Sequence, residues 1–251
     1  MALGLFRNNS GKKPAPAVGD RLLELDGREV AVRVSVHPRA TRITLRVQPG
    51  GGLKVTMPPH VSEASLDRFL ERNKAWAAAR ISRLPETVKL AEGALIPYLG
   101  VDHRVVHLDR MRGVVEARLV AGDPSLLVPG EPSHVGRKLT DFLKKRARAE
   151  LNEAVMRHSR ALDVRARQIR ITDTTSRWGS CSTTRTLSFS WRIIMAPPEV
   201  LDYLAAHEVA HLREMNHSDR FWSLVREICP DMDAHKAWLK ANGHRLHAVE
   251  L

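Results

Sequence analysis

From Arg21 to Met57 apolar residues recur at every second position: Val30, Val32, Val34 and Val36, then Ile43, Leu45 and Val47, then Leu53 and Val55. Side chains along a strand alternate between two faces, so this period predicts strands with one buried face. The interruption at Pro49-Gly50-Gly51-Gly52 supplies a turn, and together they read as a β-meander. Pro58-Pro59 ends it, and Ser62 or Ser65 is placed to cap a helix that continues through Leu70, Trp76 and Ile81. A second β stretch comes next over Tyr98 to Leu108, Val114 to Val120 and Leu126 to Val128, and Pro132-Ser133 then opens a long amphipathic helix ending near Ala161.

The last third of the chain is patterned differently. Gln168 to Thr172, Trp178 to Ser182 and Thr186 to Ile194 read as strands, with Thr183-Thr184-Arg185 as the turn between the last two. Ala196-Pro197-Pro198-Glu199 starts a helix, because proline is tolerated in a first turn where its missing N–H costs nothing. Ser218 caps a short helix carrying Phe221, Trp222, Leu224 and Val225; Pro230 breaks it, and a last helix with Trp238 and Leu239 ends near Gly243. No internal repeat is visible. The expected organisation is α+β: a disordered Gly/Pro/Lys tail over residues 1–20, a β-rich region with one helix over 21–130, and a third region over 131–251.

The chemistry lies in that third region. His207-Glu208-Val209-Ala210-His211 falls within the predicted helix, where residues four apart share a face, so both imidazoles can converge on one metal ion with Glu208 beside it. Five such residues can arise by chance. Here the surrounding Val200, Leu201, Tyr203, Leu204, Val209 and Leu212 make the helix apolar, and a partly buried imidazole needs a partner. His217, in the polar turn Asn216-His217-Ser218, lies beyond the helix end and can swing back as a third ligand. Three ligands leave the fourth tetrahedral position on zinc open for water, with Glu208 as its base, so a hydrolase holding one zinc ion per chain is expected. Glu227, with Asp231 and Asp233 nearby, is the competing third ligand, and His217 is preferred over it.

Composition narrows the setting. An apolar fraction of 43% and a charged fraction of 27% belong to a soluble globular protein, and no apolar run reaches the ~18 residues of a membrane span. The apolar stretch at Met1 to Arg7 is too short for a signal peptide, and Cys181 and Cys229 form no CxxC pair, so two free thiols in a reducing cytoplasm are expected. The net charge is +12, and Arg137 to Arg170 holds eleven Lys/Arg against Asp141, Glu150, Glu153 and Asp163. Such a surplus attracts nucleic acid, nucleotides or acidic proteins. Aromatics for base stacking are sparse there, so a solvated helix face is the favoured reading of that segment.

Several linked motifs then come in order: Ser176-Arg177-Trp178-Gly179-Ser180-Cys181-Ser182, Trp191-Arg192, Ala196-Pro197-Pro198-Glu199, the His207 to His211 segment, and Asn216-His217-Ser218 with Phe221-Trp222. They resemble the YgjP-type metallopeptidase family, related to the WLM and SprT-like zincins. The resemblance runs along the chain in order, and its specific part extends from Ser176 to Trp238. It implies zinc held by His207, His211 and His217, with Glu208 as catalytic base. It also implies a zincin-like core in which a strand around Leu187 to Ile193 presents its edge to an extended substrate. The histidine spacing is that of metzincins, but Glu214 stands where those carry a turn glycine, so no metzincin relationship is drawn.

A peptide or protein is the expected substrate. Two alternatives keep the zinc: hydrolysis of nucleotide phosphoanhydrides, for which no Walker-type loop exists, and a nucleic-acid-associated protein that trims bound proteins. Arg177, Asn216, Tyr203 and His235 are candidate oxyanion donors, and spacing does not choose among them. Residues 21 to 128 carry no readable chemistry; a roof over the cleft, an inhibitory segment or a substrate selector would each fit.

Overall fold

The computed structural model describes residues 17–48, 50–84, 87–174 and 177–250. Residues 1–16 of the expected tail, Pro49 of the glycine turn and Ser176 of the motif lie outside them. The chain divides between Leu84 and Pro85 into two compact units.

The first unit carries β1 (Ala17–Leu25), β2 (Arg28–Val36), β3 (Thr44–Val47), β4 (Leu53–Met57), α1 (Glu63–Arg72) and α2 (Lys74–Ile81). β1 begins inside the span expected to be a tail. The period-two residues do line one face, with Val32, Val34, Leu53 and Val55 buried against Leu66, Leu70 and Ala77 of the helices. The sheet is not a meander, however. Its order is β1-β2-β4-β3, with β2 and β4 parallel, because β3 turns back on the outside of β4. Ser62 caps α1 by accepting from the Ser65 N–H, and Asn73 divides the single predicted helix in two.

The second unit opens with β5 (Val88–Lys89), β6 (Leu95–Tyr98), β7 (Val101–Leu108), β8 (Glu116–Val120) and β9 (Asp123–Pro129). Sequence placed these strands with the N-terminal region, up to residue 130. Their buried residues Ile96, Val105, Leu126 and Val128 instead share one core with the C-terminal elements. Those elements are α3 (Val135–Ala161), β10 (Gln168–Thr172), β11 (Gly179–Cys181), β12 (Thr186–Ser190), α4 (Pro198–Ala210), α5 (Asp219–Ile228), α6 (Met232–His247) and β13 (Val249–Glu250).

Three differences from the sequence reading bear on the site. The strand predicted to run to Ile194 stops at Ser190, and Trp191–Met195 form a buried 3-10 turn, since five residues buried on every side, Arg192 among them, show no period to distinguish strand from helix. β12 is central in the order β10-β12-β11, so the edges belong to β10 and β11, not to the strand around Leu187 to Ile193. α6 runs past Gly243 to His247, and the glycine inside it marks a close approach, since a Cβ there would come 3.0 Å from the Trp178 ring.

Candidate metal centre

α4 is apolar almost all round, with Val200, Leu201, Leu204, Ala205, Ala206, Val209 and Ala210 buried, as a helix through the middle of a core must be. Pro198 occupies its first turn, and α3 packs along it. The two helices are clamped by Asp202, which accepts from Arg157 Nη2 at 2.6 Å and pairs with His158 Nε2 at 2.8 Å. Burial alone would raise the Asp202 carboxyl, but the hydrogen bonds and charges of His158 and Arg157 outweigh it and hold the group below its ordinary value.

His207 lies in the last turn of α4 and His211 is its C-terminal cap. The chain then turns back, with Glu214 N–H donating to Ala210 O, and needs no left-handed residue at Glu214 to do so. His211 Nδ1 donates to Glu214 O at 3.0 Å, which fixes the ring and leaves Nε2 with a free lone pair. His217 comes back so that its Nε2 lies 3.2 Å from His207 Nε2, and ligand atoms of all three histidines fall within 4.8 Å of one another. Nitrogens bound to one tetrahedral zinc at about 2.0–2.1 Å sit about 3.3 Å apart, so the residues present fit such an ion. Burial, then the charges of His211, His217 and Lys236, push His207 down to about 3, which keeps it neutral, as a ligand must be. Burial also lowers His211, more than its bond to Glu214 raises it.

α5 supplies the floor. Ser218 caps it by accepting from the Phe221 N–H, and the fully buried Phe221 ring stacks on His211 at 4.4 Å with its centroid within 5 Å of the other two imidazoles. Trp222 lies 5.6 Å from His217, with Lys236 Nζ 4.0 Å over its outer face.

Glu208 is 4% exposed, and its Oε2 is buried without a protein partner. Burial pushes its carboxyl up to about 8, against the opposing charge of Arg177. The carboxylate lies directly on the edge strand: a Cβ at Gly179 would collide with Glu208 Oε1 and come 2.8 Å from its Cδ and Cγ. Sequence reasoning passed over Gly179, although a glycine inside a predicted strand is a signal of close approach. Also unanticipated is the anchoring of Arg192, which is 6% exposed, bonds Asp173 at 2.9 Å and the carbonyls of Leu246 and Val249, and so ties the end of β12 to the C-terminal segment.

The other candidates are dispersed. Of the four oxyanion donors, Arg177 sets a positive charge against Glu208; Tyr203 is buried and pushed up to about 12 by burial first, then by the Cys229 thiol and the carboxylates of Asp233 and Glu208. Glu227 takes no part in the histidine cluster. Trp191 and Phe221 are core aromatics, and Cys181 and Cys229 are free thiols, both raised to about 11, chiefly by burial. Among the described residues no helix is long and apolar enough to cross a membrane.

Solved structures give partial likenesses. The metallopeptidase zymogen abylysin of Pyrococcus abyssi matches 36% of this chain and 93% of its own at 18% identity, with a TM-score of 0.32. The metallopeptidase zymogen jannalysin of Methanocaldococcus jannaschii matches 36% and 96% at 22% identity, with a TM-score of 0.31. No curated protein matches the chain. A family model does: the YgjP-like metallopeptidase domain spans residues 41–242, far more than half of the chain, and with it this protein belongs to the YgjP-like metallopeptidase family.

Proposed function

We propose that the protein is a zinc-dependent peptidase in which His207, His211 and His217 hold one ion and Glu208 is the catalytic base. The observation that carries this reading is the convergence of three imidazoles beside a buried carboxylate pressed against an open sheet edge. Zinc bound there would supply a Lewis acid and a water of lowered pKa.

The chain's own residues account for the rest. Glu208, buried and held against Gly179, has a protonatable carboxyl near neutrality, and the positive charge of a bound dication would draw it toward its ionised, proton-accepting form. It takes a proton from the attacking water and returns it to the departing amine. β11 pairs with β12 on one side only, so its other side offers backbone donors and acceptors to an extended peptide. Phe221 and Trp222 pack against the rings of the triad and orient them.

The test compares zinc-loaded wild type with Glu208→Gln on a mixed peptide library and a panel of nucleoside triphosphates, with products identified by mass spectrometry. Wild type is expected to release peptide fragments and the variant none, with zinc content equal in both. Glu208-dependent phosphate release with peptides intact would overturn the peptidase reading.

A further inference from the structure

The charge of the chain is not where the basic stretch of α3 suggests. Residues 1–84 carry 15 Lys/Arg against 7 Asp/Glu, whereas residues 85–251 carry 25 against 21. In the first unit one face of the sheet is covered by α1 and α2, and Arg21, on that face, bonds Glu63 and Asp67. The side chains of opposite parity point to the other face. The strand register there sets Arg33 opposite Lys54, and Lys54 opposite Arg46, so three cations stand in one row across β2, β4 and β3. All three are exposed.

Like charges directly opposite one another destabilise a sheet. The row has one acidic neighbour, Asp20, 3.6 Å from Arg33 with both side chains 70% exposed; the other acids of this face, Glu24 and Glu29, stand opposite one another at the far end of the β1–β2 hairpin, and Lys54 and Arg46 form no ion pair among the described residues. The adjoining row is one of hydroxyls, Ser35, Thr56 and Thr44, in register across the same strands. A shallow depression lined by Arg33, Lys54, Gln48 and Gly52 lies at the glycine-turn end. Cations and hydroxyls without aromatics make up the phosphate-contacting set of residues, and the strands display no ring on which a base could stack.

We infer that this open face of the N-terminal sheet binds double-stranded nucleic acid through its phosphates, with Arg33, Lys54 and Arg46 as the central contacts. The absence of stacking rings favours a duplex over a single strand, and the inference does not rest on the reading of the metal centre. Binding of this kind is independent of sequence and weakens steeply with salt, because each phosphate neutralised releases a counterion.

The experiment is fluorescence anisotropy of the full chain with a 20-base-pair labelled RNA duplex and a DNA duplex of the same sequence, across a salt series. The Arg33→Glu, Arg46→Glu, Lys54→Glu triple variant is expected to lose at least tenfold in affinity, and its log–log salt slope to shrink by about 3, near 0.9 for each contact removed. An equal melting temperature confirms that the variant is folded; if it is not, the milder Arg46→Gln, Lys54→Gln pair is read, with a slope change of about 2. A second variant, Arg160→Glu with Arg165→Glu and Arg167→Glu, alters the arginine-lined groove between α3 and β10 and is expected to keep the affinity. Unchanged binding in the sheet variant, loss of binding in the groove variant alone, tighter binding of a single strand, or displacement of the duplex by polyglutamate at equal charge would each overturn the inference.

Discussion

The sheets β1–β4 and β6–β9 share one plan. Each has the order first-second-fourth-third, an antiparallel hairpin at either side and a parallel pair in the middle. Their first hairpins even turn alike, through Asp26-Gly27 with φ of 49° and 75° and through Leu99-Gly100 with φ of 51° and 80°. Their surroundings differ. Nothing lies within 4 Å of a Cβ built at Gly27, and the sheet closes a small core with two helices of its own. At Gly100 a Cβ would meet Pro197 Cα at 2.9 Å, while Leu99 and Gly100 N–H donate to Ile194 and Met195 carbonyls. The second sheet is thereby a buttress for the turn that launches α4. The same local plan packs against helices of its own in one unit and supports the histidine-bearing helix α4 in the other.

The comparison breaks most sharply where the second unit leaves no room at all. Gly179→Ala displaces the Glu208 carboxylate, and a shift of about 1 Å at a catalytic group lowers turnover on the order of 10²-fold. Zinc content and melting temperature are expected to change little, and full peptidase activity in this variant would show that packing on β11 does not position Glu208.

Gly100→Ala comes next. The positive φ costs about 1–2 kcal/mol and the collision with Pro197 about 1–3 kcal/mol more. In Gly27→Ala the first cost remains without the second, so urea denaturation is expected to separate the two variants. Equal losses would mean that the second hairpin does not bear on α4.

Asp202→Ala probes the clamp between α3 and α4 and leaves the buried His158 ring without its carboxylate, a loss of about 1–3 kcal/mol near neutral pH. Because the folded carboxyl is held below its ordinary value, its contribution is fully present above the unfolded value of about 3.9 and disappears as pH falls through the folded one. The stability gap between wild type and variant should therefore close on the acid side of pH 4; a gap constant down to pH 2 would show that the pairing does not favour the ionised form. Smallest is Gly27→Ala itself, about 1–2 kcal/mol, with no change in peptidase activity.

Much of this was legible locally. The i, i+4 spacing of His207 and His211, the caps at Ser62 and Ser218, the proline opening α4 and the buried parity of Val32, Val34, Leu53 and Val55 depend on residues within a turn or a strand of each other. The misreadings share a cause. Whether β2 lies beside β3 or β4, whether β12 is central or an edge, and which core claims β6–β9 are decided by pairings many residues apart, which period and propensity do not encode. The fully buried segment Trp191–Met195 has no period to read, and Gly243 marks a packing contact with Trp178 rather than a helix end.

By itself, then, the sequence singled out His207, His211, His217 and Glu208 as the candidate ligating and proton-moving side chains, because helical spacing and apolar flanks act over a few residues. Tertiary structure alone decided how His217 folds back to within 3.2 Å of His207, that β11 supplies the edge against which Glu208 is held, and that Arg33, Lys54 and Arg46 stand side by side. Convergence of groups far apart in the chain is a property of register and packing, and those are fixed only when the whole core is assembled.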